Sequence, residues 1–147
     1  MTIRKAKKGD EGAIFGLIQE LATYERAPDE VINTPEQLRI DLFDDQVCDA
    51  LVVEDDLKGV VGFALYYTSY STWKGRCLYL EDFYVLPEFR RGGIGGRLFQ
   101  EVVAIAKERG VKRMDWQVLE WNEPALSFYK KHEAILDPEW VNGRLFF

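Results

Sequence analysis

The chain has 147 residues, of which 47% are hydrophobic and 30% charged, so it can bury a core of its own and we expect one domain over residues 1–147. The formal net charge of −6 disfavours nucleic acid as a partner, because a phosphate backbone requires a basic surface. No apolar run approaches the roughly 20 residues of a membrane-spanning helix or forms a signal peptide, which predicts a cytoplasmic protein that does not bind membranes. Without a CxxC pair or a histidine cluster, we expect no metal.

The first part of the chain predicts a strand followed by two helices. Thr2–Ala6 has the pattern of a short strand, and Asp10–Tyr24 that of a helix with Asp10 as its cap and apolar residues on one face. A second helix begins after Thr34, because Pro35 suits the first helical position and Gln37 completes a Thr-x-x-Gln capping box.

Three strands are predicted next, at Cys48–Glu54, Gly59–Tyr70 and Arg76–Val85, and the first two form a hairpin. Side chains along a strand alternate between the two faces of a sheet. This period of two places Glu81 and Asp82 on opposite faces, so that only one of them can point into a cleft on a given side.

The rest of the chain alternates helices and strands. A helix at Gly93–Arg109 ends at a glycine, a strand follows at Lys112–Leu119, and Asn122 caps a helix that runs to about His132. The tail, Arg144–Phe147, has the pattern of a short strand. This order predicts an α/β fold with a mixed, mostly antiparallel central sheet and flanking helices.

A glycine-rich turn, Arg90–Gly96, joins the strand that ends at Val85 to the following helix. Glycines allow a close approach of the main chain to a ligand, and a helix start presents unpaired N–H groups, so together they suit a pyrophosphate. The turn lacks the Walker A lysine, and the run from Gly93 lacks the last glycine of the dinucleotide fingerprint. A connector without a ligand is the alternative interpretation.

The turn does match the pattern R-x-x-G-x-G at Arg90, Gly93 and Gly95, which resembles the acetyl-CoA signature of the GNAT superfamily of N-acetyltransferases. Further segments that carry the resemblance are Leu21–Glu25, Gly62–Tyr67, Leu80–Val85, Glu120–Pro124 and Phe128–Lys130. Over nearly the whole chain the sequence is similar to the spermidine/spermine (diamine) acetyltransferase branch. The resemblance implies the GNAT fold, acetyl-CoA as co-substrate and a homodimer.

The resemblance also implies a set of site residues. The cofactor-binding residues would be Phe83, Tyr84, Val85, Arg90, Arg91, Gly92, Gly93, Ile94, Gly95, Gly96, Asn122, Glu123, Pro124, Ala125 and Tyr129. The residues in contact with the amine would be Tyr24, Glu25, Glu81, Asp115, Trp116 and Gln117. A solvated acidic loop is the alternative for Tyr24 and Glu25.

Acetyl transfer needs a neutral amine, and neutralising an alkylammonium of pKa about 10.4 at pH 7 costs about 4.6 kcal/mol. A carboxylate that attracts the cation and accepts its proton meets this need. Glu81 is the candidate, as the base or as a substrate-binding residue, and a solvated strand face is the alternative. A phenol can protonate the departing thiolate. The resemblance gives this role to Tyr129, for which core packing is the alternative.

The leading hypothesis is therefore an enzyme that transfers an acetyl group from acetyl-CoA to a primary amine of a small cation. Polyamines such as spermidine and spermine are the first expectation, and an amino acid with a lysine-like amine, such as thialysine, is the second. A protein substrate and a non-catalytic acyl-CoA-binding module remain alternatives. Glu81 and Tyr129 argue against the latter.

Overall fold

A computed structural model describes all 147 residues, which form two compact units, Met1–Gln117 and Val118–Phe147. The strands of the first unit are β1 (Thr2–Lys5), β2 (Asp49–Asp55), β3 (Gly59–Ser71), β4 (Gly75–Val85) and β5 (Met114–Asp115). Its helices are α1 (Glu11–Tyr24), α2 (Pro35–Arg39), which continues as a π-helical turn over Ile40–Asp44, and α3 (Ile94–Glu108). The second unit contains α4 (Glu123–Lys131). No helix is both long and apolar enough to cross a bilayer.

The five strands form one sheet in the order β1-β2-β3-β4-β5. All neighbouring pairs are antiparallel except β4 and β5, which are parallel and are connected through α3. This confirms the predicted α/β fold with a mixed, mostly antiparallel sheet and flanking helices. The strand predicted over Lys112–Leu119 is much shorter, because only Met114 and Asp115 pair with β4.

The two faces of the sheet are covered by different helices, and we name them the α1 face and the α3 face. The core of the α1 face consists of Ile14, Phe15, Leu17, Leu38, Leu42, Ala50, Val52, Phe63, Leu65 and Tyr84. On the α3 face, the ring of Phe83 meets that of Phe99 edge-on at 5.9 Å between centroids. Arg109, which follows α3, lies 5.4 Å from the ring of Tyr66 and pairs with Asp49 at 3.2 Å.

Two of the three predicted helix caps are present in the structure. Thr34 accepts a hydrogen bond from the backbone N–H of Gln37, and Asn122 accepts one from that of Ala125, as expected of cap residues. Asp10 makes no side-chain cap on α1. Its carboxylate instead takes a bidentate ion pair with Arg4 and thereby ties the start of α1 to β1.

In the second unit, the chain after α4 forms neither a helix nor a strand. The strand predicted at Arg144–Phe147 is therefore wrong for this structure. A strand is stabilised by ladder hydrogen bonds to a neighbour, and these residues have no pairing partner in any sheet of the structure.

Candidate active site

An irregularity in the pairing of β3 with β4 determines where the acidic side chains of β4 point. Leu65 pairs with Asp82, whereas the next residue of β3, Tyr66, pairs with Leu80. Glu81 is therefore an extra residue, which defines a β-bulge. Leu65 belongs to the core of the α1 face, and residues that pair directly share a face, so Asp82 also lies on the α1 face.

Two tyrosines show how the bulge reverses the alternation of side chains. Tyr67 follows Leu65 by two residues and pairs with Tyr79, so both tyrosines lie on the α1 face, with their ring centroids 5.3 Å apart. Tyr79 and Asp82 thus share a face although they are three positions apart in the sequence, which strict alternation forbids. The extra residue, Glu81, accounts for the difference.

The charge of Glu81 acts on groups of this same face. Burial and then the charge of Glu81 raise the pKa values of Tyr67 and Tyr79, and the same two causes raise the pKa of Asp82. Glu81 and Asp82 therefore direct their carboxylates to one side of the sheet. The prediction that they occupy opposite faces is wrong, because it assumed a regular strand.

A third carboxylate, Glu25, comes from the residue after α1. Burial and the charge of Glu81 raise its pKa, and its own charge contributes to the pKa of Asp82. Burial and the two glutamates together raise the pKa of Asp82 to about 7. We call Glu25, Glu81 and Asp82 the carboxylate cluster. Such a cluster attracts cations, and it holds one carboxyl whose proton exchanges near neutral pH.

The residues predicted around β5 separate onto the two faces. Asp115 pairs with Tyr79 and therefore lies on the α1 face, where its charge contributes to the raised pKa of Tyr79. It also forms an ion pair with Arg113 at 2.9 Å. The ring of Trp116 packs edge-on against Phe99 of α3 at 5.5 Å, which places it on the α3 face, opposite the carboxylate cluster. Gln117 is exposed just beyond the strand.

The glycine-rich turn leaves the carboxyl end of β4 through a short 3-10 turn, Pro87–Phe89. Gly92 and Gly93 adopt φ angles of 88° and 80°, a conformation that side chains disfavour, and α3 begins directly after them. No side chain caps α3, and its first intrahelical bond runs from the N–H of Arg97 to the carbonyl of Gly93. The N–H groups of Ile94, Gly95 and Gly96 precede that bond and thus have no partner within the helix.

Arg90 and Arg91 open this turn with different surroundings. The guanidinium of Arg90 donates from Nε to the carbonyl of Val85 at 2.7 Å, and it lies over the rings of Tyr84 and Tyr24. Arg91 is exposed. An open groove of about 420 Å³ beside these tyrosines is lined by Gly16, Gln19, Glu20, Thr23, Tyr24 and Tyr84.

In the second unit, α4 presents a cap and a buried phenol. Asn122 is buried and caps the helix, whereas Glu123 and Pro124 in the first turn are exposed. Tyr129 is only 7% exposed and its ring meets that of Phe128 edge-on at 5.3 Å. Of these two rings Tyr129 is the more buried one.

Comparison with known proteins assigns the chain to a family. Residues 15–133 match the model of the Acetyltransferase (GNAT) family. The chain belongs to this family. It is 45% identical over 136 residues to thialysine N-epsilon-acetyltransferase of Bos taurus, and the aligned region covers 87% of this chain and 80% of that protein. It is 36% identical over 140 residues to human spermidine/spermine N(1)-acetyltransferase-like protein 1, over 90% of this chain and 20% of that one.

Solved structures have the same GNAT fold. A tetramutant protein from Bacillus halodurans superposes with a TM-score of 0.80 at 21% identity, and covers 99% of this chain and 100% of its own. An aminoglycoside acetyltransferase from an uncultured soil metagenomic sample does so with a TM-score of 0.79 at 19% identity, over 99% and 95% of the two chains. The predicted resemblance and the assignment as an acyltransferase are confirmed.

GNAT acetyltransferases use acetyl-CoA, and the turn of this chain fits a pyrophosphate. A Cβ built on Gly92 or Gly93 would meet no atom within 4 Å, so the space above these glycines is open. A glycine-rich turn with positive φ angles at a helix start is a common anion-binding geometry, and the neighbouring Arg91 adds positive charge.

Sequence analysis did not include Asp82 among the site residues, although it belongs to the carboxylate cluster. Its position beside Glu81 was visible, but the bulge that brings both onto one face depends on the register with β3. No residue type in the run Leu80–Tyr84 marks a bulge by itself.

Proposed function

We propose that this GNAT acetyltransferase transfers an acetyl group from acetyl-CoA to the terminal amine of a lysine-like amino acid of the thialysine type. The observation that carries the proposal is the carboxylate cluster on the α1 face, at the strand that leads into the glycine-rich turn. Three carboxylates from two elements suit an ammonium group. The sequence identity to thialysine acetyltransferases favours this class of amine.

The cluster would bind the substrate as a cation and then accept its proton. An ordinary aspartate is a poor acceptor for an ammonium proton, because the two pKa values differ by more than 6 units. The raised pKa of Asp82, about 7, narrows that gap by about 3 units, which corresponds to about 4 kcal/mol. In this proposal Glu81 and Asp82 act as a pair, with Glu81 holding the cation and the pair taking the proton.

The turn would hold the acyl donor. Acetyl-CoA supplies a thioester that a neutral amine can attack. The N–H groups of Arg91, Gly92, Gly93, Ile94, Gly95 and Gly96 would bind the pyrophosphate, and the main chain of Phe83, Tyr84 and Val85 would bind next to the thioester. From α4, we propose that Asn122, Glu123, Pro124 and Ala125 contribute to cofactor binding and that Tyr129 protonates the departing thiolate.

A polyamine is the second candidate, and a specific feature favours it. The tyrosine pair Tyr67 and Tyr79 continues the α1 face away from the end of β4, with Asp115 beside it. Aromatic faces and a carboxylate suit a second ammonium group. The similarity to the spermidine/spermine acetyltransferase-like protein supports the same class of substrate.

The experiment is to measure release of the free CoA thiol with acetyl-CoA and a panel of thialysine, lysine, ornithine, spermidine, spermine and a neutral alcohol analogue. We expect the highest kcat/KM with thialysine. A preference for spermidine or spermine would favour the second candidate, and absence of turnover with every amine would refute both.

A further inference from the structure

Arg90 opens the R-x-x-G-x-G pattern, and although the residue is exposed its side chain contacts other residues of the protein. Its Nε donates to the carbonyl of Val85 at 2.7 Å. Its guanidinium carbon lies 5.1 Å from the ring centroid of Tyr84 and 5.9 Å from that of Tyr24, both within the range of cation–π contacts.

The three partners of Arg90 come from two different elements. Val85 and Tyr84 are the last residues of β4, which carries Glu81 and Asp82 and leads into the glycine-rich turn. Tyr24 is the last residue of α1, and Glu25 of the carboxylate cluster follows it directly. One guanidinium thus connects the start of the turn, the end of β4 and the end of α1.

The engagement of Arg90 contrasts with that of its neighbour. A hydrogen bond from a guanidinium to a carbonyl is directional. The two ring contacts further restrict the orientation of the planar guanidinium. Both arginines are exposed, but the guanidinium of Arg90 is directed to Val85, Tyr84 and Tyr24. Arg91 directly precedes the two glycines with positive φ angles, so its charge lies next to the open space beside them.

We infer that Arg90 is a positioning residue that holds the amine-side carboxylates and the cofactor turn in one arrangement, and that it is not a phosphate ligand. The inference rests on the proposed function, because it concerns how the two substrates meet. Loss of the link would free the end of α1, with Glu25, from the end of β4. The amine would then be misplaced with respect to the thioester even when the donor is bound.

Two acetyl donors can distinguish an arginine that positions other residues from one that binds a phosphate. Acetyl-CoA contains the pyrophosphate, whereas S-acetylpantetheine is an acetyl thioester without phosphate. For Arg90→Ala we expect kcat/KM to fall about tenfold or more with both donors, because the misplaced amine affects both reactions equally. For the matched control Arg91→Ala, we expect the ratio of kcat/KM for acetyl-CoA to that for S-acetylpantetheine to fall about tenfold, as a lost phosphate contact requires.

Conservative variants provide a second criterion. Arg90→Gln keeps an N–H donor for the Val85 carbonyl without a charge, and Arg90→Lys keeps the charge without the planar group. Because the inferred link contains no phosphate contact, we expect each of these variants to lose the same fraction of kcat/KM with acetyl-CoA as with S-acetylpantetheine. A loss of kcat/KM in any of these variants that disappears with S-acetylpantetheine would assign Arg90 to the phosphate and overturn the inference.

A binding measurement keeps the test independent of the amine. The Kd of CoA, measured by calorimetry, should change less than about threefold in Arg90→Gln and rise about tenfold in Arg91→Ala. A CoA affinity that falls as far in Arg90→Gln as in Arg91→Ala would overturn the inference even if no amine in the panel is acetylated. Thermal unfolding of each variant controls for loss of the fold.

Discussion

Glu81 and Asp82 are neighbours in β4, yet they direct their carboxylates to the same face of the sheet. The bulge at Glu81 is the cause, because Leu65 pairs with Asp82 while Tyr66 pairs with Leu80. Burial disfavours the charged form of Asp82, and the charge of Glu81 on the same face adds to this effect, so the pKa of Asp82 rises to about 7. This relationship underlies the first two predictions.

The first prediction concerns the pH dependence of catalysis. The pair accepts a proton only when it is unprotonated, so kcat/KM should fall as the pH drops through about 7. Asp82→Asn and Glu81→Gln each remove one negative charge and should move this acidic limb to lower pH. Steady-state kinetics between pH 5 and 9 measure the position of this acidic limb in the kcat/KM profile of each variant. If Glu81→Gln raises KM and leaves kcat unchanged across that range, Glu81 only binds the amine.

The second prediction concerns stability. The folded state raises the pKa of Asp82 above its ordinary value of 3.8, so the folded state binds the proton more tightly than the unfolded state does. The free energy of unfolding should therefore decrease as the pH rises from about 4 to about 7. Asp82→Asn should stabilise the protein by about 1–2 kcal/mol at pH 8 and by little at pH 4. Urea unfolding at both pH values tests this, and an equal effect at both would contradict it.

The third prediction separates ligand binding from backbone strain in the turn. Gly93 has a φ angle of 80°, and Gly75 at the tip of the β3–β4 hairpin has one of 88°. Alanine at either position should cost about 1 kcal/mol of stability, because the conformation disfavours a side chain. Only Gly93→Ala should raise KM for acetyl-CoA, by about tenfold. Similar KM values in the two variants would argue against a phosphate site at the turn.

The fourth prediction concerns the close packing behind the end of β4. A Cβ on Gly62 would lie 3.0 Å from Val85 Cγ2, 3.1 Å from the carbonyl oxygen of Tyr84 and 3.3 Å from Val53 Cγ2. Gly62→Ala should therefore destabilise the protein by about 1–3 kcal/mol and weaken acetyl-CoA binding through displacement of Tyr84 and Val85. Gly12→Ala in α1, where a Cβ meets no atom within 4 Å, should be neutral or slightly stabilising in the same melts.

The fifth prediction concerns the proposed general acid. Tyr129→Phe removes one hydroxyl and keeps the ring that packs against Phe128. We expect kcat to fall about 10²-fold while KM for the amine changes little, because the phenol would act only as the thiolate departs. The far-ultraviolet circular dichroism spectrum checks that α4 is intact. An unchanged kcat would leave Tyr129 with a packing role.

Local patterns were sufficient for much of the fold. The capping residues Thr34 and Asn122 start their helices as predicted, since a cap depends only on residues within one turn. The boundaries of β5 were less predictable, because the length of a strand depends on how many backbone hydrogen bonds it can form with its neighbour. The sequence run Lys112–Leu119 has the residue pattern of a strand, but only two of its residues pair with β4.

The family and the glycine-rich turn can be recognised from the residues alone, because Arg90–Gly96 and the segments around it are local patterns whose meaning does not depend on distant residues. The sequence also contained every member of the carboxylate cluster. The faces on which these residues lie, and the partners of Arg90, depend on the folded chain. The register of β3 against β4 placed Glu81 and Asp82 on one face, and the contacts with Val85 and Tyr24 hold the side chain of Arg90 against the ends of β4 and α1. Register and long-range contacts follow from the packing of the whole sheet, which no single segment encodes.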